Sequence, residues 1–155
     1  MRSNRWDILA LATSLAKRKA AAVLTPHPAE AARLLDVTTV GVQADRVASA
    51  RAIAQRYRSW VVLKGNGSVI AAPDGKFWIN PSGNPGMASA GMGDALSGMI
   101  AALIAQGAEP LQALLAGVYL HGAAADALAA SGTGPIGITA SEVIDRARAL
   151  LNRRT

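Results

Sequence analysis

The chain has no cysteine, and its two histidines, His27 and His121, lie far apart in sequence. Disulfides and thiolate catalysis are therefore excluded, and the residue spacing of a zinc site is missing. Aromatic residues make up 4% and charged residues 17% of the 155 positions, so the core has to be built from alanine, leucine and valine rather than large rings. No apolar run reaches the roughly 18 residues needed to cross a membrane. The basic start is followed by an interrupted apolar segment without a small-residue cleavage site, which reads as no signal peptide, with the cytoplasm as the expected address. No run of one charge stands out either. The formal net charge is +6, but Arg33, Arg46, Arg51, Arg56, Arg58, Arg146 and Arg148 fall at outward-facing positions of several predicted helices. Only residues 17–19 and 153–154 cluster, so the excess reads as solvated surface and not as a nucleic-acid footprint. A mild positive field still favours small phosphorylated ligands.

What the chain does have is glycine and proline in one place. Between Asn80 and Gly93 stand Gly83, Gly86, Gly91 and Gly93 with Pro81 and Pro85, a backbone that can take positive φ repeatedly and cannot sustain a helix or a strand. From Asp94 onward, Leu96, Met99, Ile100, Leu103 and Ile104 recur at helical spacing. A glycine-rich loop thus feeds a buried helix. Such a junction presents unpaired N–H groups and the positive end of the helix dipole, and an anion is its preferred occupant. Asp94 stands at that junction. A carboxylate aimed into a phosphate-sized hollow is electrostatically costly, and groups of that kind are more often kept for chemistry than for stability.

The rest of the chain alternates helices and strands. A helix is expected over residues 7–19, with Ile8, Leu11, Ala12 and Leu15 on one face, then a short strand ending at Thr25. Pro26-His27-Pro28 stops the strand and starts a second helix, with Glu30 in its favourable first turn. His27 therefore sits where a strand gives way to a helix, as a cap or turn residue or as a ligand contact, since that edge of an open parallel sheet is where ligands bind. An amphipathic helix over 43–58 precedes the buried strand Trp60-Val61-Val62-Leu63-Lys64 and the turn Gly65-Asn66-Gly67-Ser68. Lys64 ends its strand as His27 follows its own. Residues 69–72 and 77–80 flank the Asp74-Gly75 hairpin turn. Beyond the central helix, Gly107 ends one helix and Pro110 opens the next, in which His121 reads as a structural residue hydrogen-bonded to a neighbour. Thr139 and Glu142 form a capping-box pattern for a last helix.

This order specifies an α/β layered domain with a partly parallel sheet, and the length suits a single domain, 1–155. Its glycine loop lacks the lysine and hydroxyl of a P-loop and the glycine spacing of a dinucleotide-binding fold. Three stretches are recognisable together: Thr25-Pro26-His27-Pro28-Ala29-Glu30, Leu63-Lys64-Gly65-Asn66-Gly67-Ser68, and Asn84-Pro85-Gly86-Met87-Ala88-Ser89-Ala90-Gly91-Met92-Gly93-Asp94. They resemble the signature stretches of the ADP-dependent NAD(P)H-hydrate dehydratases, in the same order and at compatible spacing, over about residues 24–145. Ala29, Asn66 and Ala90 depart from the usual pattern, each by a small side chain.

The resemblance implies a ribokinase-like αβα domain, here a partial one lacking its amino-terminal part. It implies that His27 and Asp94 bind the hydrated nicotinamide nucleotide, with Asp94 catalytic. It further implies that Lys64, Gly65, Asn66, Gly67, Ser68 and Gly93 hold the adenine nucleotide, and that Gly91, Met92 and Gly93 form the anion-binding loop. The reaction so implied returns S-NADHX or S-NADPHX to NADH or NADPH while ADP becomes AMP and phosphate. Magnesium is expected with ADP, without a recognisable set of protein ligands, and self-association as a tetramer is expected with no membrane or nucleic-acid partner. A ribokinase-like kinase of a small alcohol shares the Gly-x-Gly-Asp loop, and a non-catalytic nucleotide-binding module is the third reading.

Overall fold

Proline at positions 26 and 28 keeps the first strand short and starts the helix after it. In a computed structural model describing residues 14–15 and 17–152, β1 is Val23–Leu24 and α1 is Pro28–Leu35. Of the helix expected over 7–19, Ser14 and Leu15 are helical and Lys17 already lies in a turn; the rest lies outside the described residues. The amphipathic helix expected over 43–58 is α3, Arg46–Tyr57, while Gln43 and Ala44 end a separate short helix that was not expected, α2 Thr39–Ala44. Asp45 makes the break, because its carboxylate caps the second helix by accepting from the Ala48 amide at 2.8 Å. Along α3, Ala50, Ile53, Ala54 and Tyr57 are buried, as the spacing requires.

Strands β2 Trp60–Leu63, β3 Val69–Ala71 and β4 Phe77–Ile79 complete a four-stranded sheet in the order β1-β2-β3-β4. β1 runs parallel to β2, with Val23 opposite Trp60, and the remaining pairs are antiparallel through the two turns. Val61, Val62, Leu63, Val69, Ile70 and Ala71 are buried, in keeping with continuous apolar strands covered on both faces. Tyr57 is buried through its ring, while its hydroxyl donates to the Leu34 carbonyl at 2.9 Å, so the one large aromatic of this core is polar-satisfied. These elements form one compact unit, Met1–Gly65 with Val69–Ile79.

The second unit comprises Asn66–Ser68 and Asn80–Thr155. Its helices are α4 Met92–Ala105, α5 Pro110–Ala130 and α6 Ala140–Leu151. α4 starts two residues before Asp94, and of its expected apolar face Leu96 and Ile100 are buried whereas Ile104 is exposed. α6 begins with the expected box, Thr139 backbone and side chain both bonded to Glu142. The core joins Met92 with Ala124, Ala125, Leu128, Ile138, Val143 and Ala147. Alanine and glycine let α4, α5 and α6 approach closely, which is why so few aromatics suffice. By length and composition alone α5 is long and apolar enough to cross a membrane. Its apolar residues do not form one continuous run, since Gln112, His121 and Asp126 interrupt them. Half of its most apolar stretch is buried inside the protein, among it Leu114, Val118 and Leu128.

Candidate active site

In the first unit the site begins with His27, which caps α1. Its Nδ1 accepts from the Ala29 and Glu30 amides, both at 3.2 Å, and Glu30 returns the bond by accepting from the His27 amide at 2.8 Å. Capping role and position at the strand end therefore coexist. Two acceptor bonds occupy Nδ1, so the ring proton of this tautomer is on Nε2, 3.4 Å from Glu30 Oε1. The other carboxylate oxygen of Glu30 lies 3.9 Å from Lys64 Nζ. Lys64 is held at its backbone too, its amide donating to the Pro26 carbonyl at 2.9 Å. His27, Glu30 and Lys64 are thus brought together at the carboxyl ends of β1 and β2. Gly65 follows directly, with φ +149°.

In the second unit, Asn66, Gly67 and Ser68 form the turn between β2 and β3, and the Ser68 carbonyl accepts from the Asn80 amide at 2.9 Å. Gly91 takes the left-handed conformation at the start of α4, φ +83°, and provides no side-chain cap. The first helical bond there is Ala95 amide to Gly91 carbonyl, 2.9 Å. The amides of Met92, Gly93 and Asp94 therefore precede the hydrogen-bonded ladder and face the helix end, the arrangement that receives an anion. By contrast α1, α2, α3 and α6 each have a side chain in that place. Asp94 is exposed in this first turn and has no hydrogen-bond or ion-pair partner among the described residues.

The loop entering α4 is fastened to α5. Asp126 accepts from the Gly83 amide at 2.8 Å and from Asn84 Nδ2 at 3.0 Å, and Asn84 in turn accepts from the Gly86 amide at 3.0 Å. Ser82 donates to the Tyr119 carbonyl at 2.9 Å, and a Cβ at Gly122 would collide with Ser82, so the close approach requires glycine there. The same loop, with residues 135–139, lines an open cavity of about 530 Å³, and Ser89 spans the two segments by donating to the Ile138 carbonyl.

His121 completes the second unit's site region. It is 5% exposed, its ring is hydrogen-bonded to the Met92 backbone, and burial lowers its pKa from the ordinary 6.5 to about 4. The bond to Met92 opposes that shift without cancelling it. The ring is therefore neutral near pH 7, and Nε2 is buried without a partner among the described residues. The expectation of a structural histidine with a bonded neighbour matches this placement.

Compared with known proteins, residues 7–147 match the family model described as NAD(P)H-hydrate dehydratase. The chain belongs to this dehydratase family. Among curated dehydratases, the ADP-dependent (S)-NAD(P)H-hydrate dehydratase of Neisseria meningitidis serogroup B is 50% identical over 133 residues, 86% of this chain and 45% of that protein. The crystal structure of the Bacillus subtilis ADP/ATP-dependent NAD(P)H-hydrate dehydratase, co-crystallized with ATP/Mg2+, superposes with a TM-score of 0.82 at 38% identity. That match covers 87% of this chain and 48% of the Bacillus chain. A ribokinase-like superfamily protein of Enterococcus faecalis superposes with a TM-score of 0.75 at 27% identity, over 93% of this chain and 49% of that one. The fold is ribokinase-like α/β, and the chain spans about half the length of the dehydratases it matches.

Among the described residues no three His, Asp or Glu side chains stand together, so these residues build no carboxylate cage for the magnesium expected with ADP. One residue was misread from the sequence. Arg46, grouped with the outward-facing arginines, is half-buried and donates through Nη2 to the Leu63 carbonyl at 3.1 Å. Its place as first residue of α3, midway between the stretches that end at Glu30 and begin at Leu63, gave no signal.

Proposed function

We propose that this chain carries the nucleotide-binding and catalytic residues of a nicotinamide nucleotide repair enzyme. The reaction dehydrates S-NADHX or S-NADPHX to NADH or NADPH while ADP is converted to AMP and phosphate. The observation that carries the reading is the start of α4: an uncapped first turn behind a left-handed glycine, with an exposed carboxylate in it, in a chain of the dehydratase family.

The roles follow from the chemistry each group can perform. Lys64, Gly65, Asn66, Gly67, Ser68 and Gly93 bind the adenine nucleotide. The amides of the loop Gly91, Met92 and Gly93 stabilise charge on the phosphoryl group in transfer, as preorganised donors that need no rearrangement. Asp94 takes the proton from the substrate hydroxyl as that oxygen attacks the terminal phosphorus of ADP, releasing AMP. The hydroxyl, a poor leaving group, has become a phosphate ester. Loss of phosphate with a ring proton then restores the double bond of the reduced nicotinamide. His27 contacts the substrate as a donor from Nε2, because Nδ1 is committed to the α1 cap. Magnesium bound to ADP would supply charge neutralisation at its phosphates, held by the nucleotide rather than by a cluster of the described side chains. A cytoplasmic location and self-association belong to the same reading.

Calorimetric titration with ADP tests it. Saturable binding is expected, weakened about tenfold or more by Lys64→Ala, since a charge-assisted contact to phosphate is lost. Asp94→Asn is expected to leave ADP binding within a few-fold of the unsubstituted chain. Absence of ADP binding contradicts the proposal, and loss of binding in Asp94→Asn would give Asp94 a structural or metal-holding role instead.

A further inference from the structure

Lys64 is the cation that the sequence pointed to, but its backbone is held by another. Arg46 reaches from the start of α3 to the end of β2, where Nη2 donates to the Leu63 carbonyl at 3.1 Å. Its guanidinium then lies against Gly65 so closely that a Cβ at that glycine would be 2.7 Å from Nη2 and 3.1 Å from Cζ. The Leu63 carbonyl before Lys64 and the Cβ side of Gly65 after it therefore both face one planar side chain, and the Lys64 amide is tied to Pro26 at 2.9 Å. A fork with fixed donor directions can hold such a geometry; a flexible ammonium cannot. Partial burial disfavours the charged form of Arg46 and lowers its pKa, yet guanidinium remains protonated at neutral pH. A half-buried, permanently charged group beside a strand end carries a desolvation cost that a fully exposed helix residue would not.

We propose that Arg46 is a positioning residue for the nucleotide loop: its guanidinium fixes the Leu63 carbonyl and Gly65 on either side of Lys64, aims the Lys64 ammonium, and adds a second fixed positive charge for a nucleoside diphosphate. Gly65 is required twice over, by its positive φ and by the guanidinium that covers it. The part concerning the diphosphate rests on the proposed function; the part concerning the loop does not.

The test uses the full chain, as itself and as Arg46→Lys and Arg46→Met, with two measurements on each. Amide hydrogen exchange by NMR reads the loop. Protection of the Lys64 amide is expected to fall by about tenfold or more in both variants, with a shifted Gly65 amide resonance, while the Val61 and Val62 amides in the strand keep theirs. ADP titration reads the charge. Arg46→Lys, which keeps the charge and loses the fork, is expected to weaken ADP binding by about tenfold, and Arg46→Met by more. Unchanged exchange at Lys64 and Gly65 in Arg46→Lys overturns the proposal, as does an Arg46→Lys chain that binds ADP like the original. Should the unsubstituted chain bind no ADP while Lys64 loses protection as stated, the positioning role stands and the nucleotide reading falls. If Arg46→Met also exposes the strand amides, Arg46→Lys decides.

Discussion

At the scale of single residues, burial and charge decide what each group can do. His121 stays neutral near pH 7, because burial disfavours the charged ring. Its effect is on stability. The unfolded chain takes up a proton at this ring below about pH 6.5 and the folded chain only near pH 4, so His121 contributes its full stabilisation above 6.5. That contribution is lost as pH falls from 6.5 towards 4, a difference of up to about 3 kcal/mol for a shift of this size. Urea unfolding at pH 7.0 and 4.5 is expected to show the loss, and His121→Gln to show a smaller one; equal slopes for the two chains would remove His121 from the account. Such a residue was legible only as a histidine in an alanine-rich helix. Asp94 and Lys64 were easier, since each stands at a junction the sequence marks with glycine. Arg46 was missed because surface and site arginines share the same helical spacing, and only the fold brings this one to the end of β2.

At the scale of elements, the α1 start has two functions in one side chain. His27→Asn separates them. Asparagine is among the best N-caps and can accept the Ala29 and Glu30 amides through Oδ1, so the melting temperature is expected to stay within about 2 °C, the shift that a few tenths of a kcal/mol produces. The Nε2 donor is removed, and a rise of about tenfold in KM for the hydrated nucleotide is expected, as for loss of a hydrogen bond to a polar substrate group. A large fall in stability would make His27 a cap and nothing else. Elements bounded by strong local chemistry were readable: Pro28 and Glu30 gave the start of α1, Gly107 and Pro110 the gap between α4 and α5, Thr139 and Glu142 the start of α6. The helix expected over 43–58 begins three residues later than expected because Asp45 caps α3, and the short helix α2 ahead of it was not expected. Contacts distant in sequence were not readable at all. Nothing local pairs Asp126 with Gly83 and Asn84, although their hydrogen bonds hold the loop that leads into α4.

At the scale of the whole molecule, the residues singled out from the sequence are divided between two compact units. His27 and Lys64 lie in the one, Gly91 to Asp94 in the other. The partly parallel sheet was legible in the order of helices and strands, and the family and the ribokinase-like fold in three short stretches, because those stretches sit at strand ends and helix starts where backbone geometry is most demanding. Chain length is the other fact at this scale, about half that of the related dehydratases, and it makes turnover the claim most worth testing. The decisive measurement incubates the chain with S-NADHX, ADP and magnesium and follows the absorbance of the reduced nicotinamide. The account predicts recovery that requires ADP and is lost in Asp94→Asn; no recovery, or recovery that Asp94→Asn leaves intact, would contradict it.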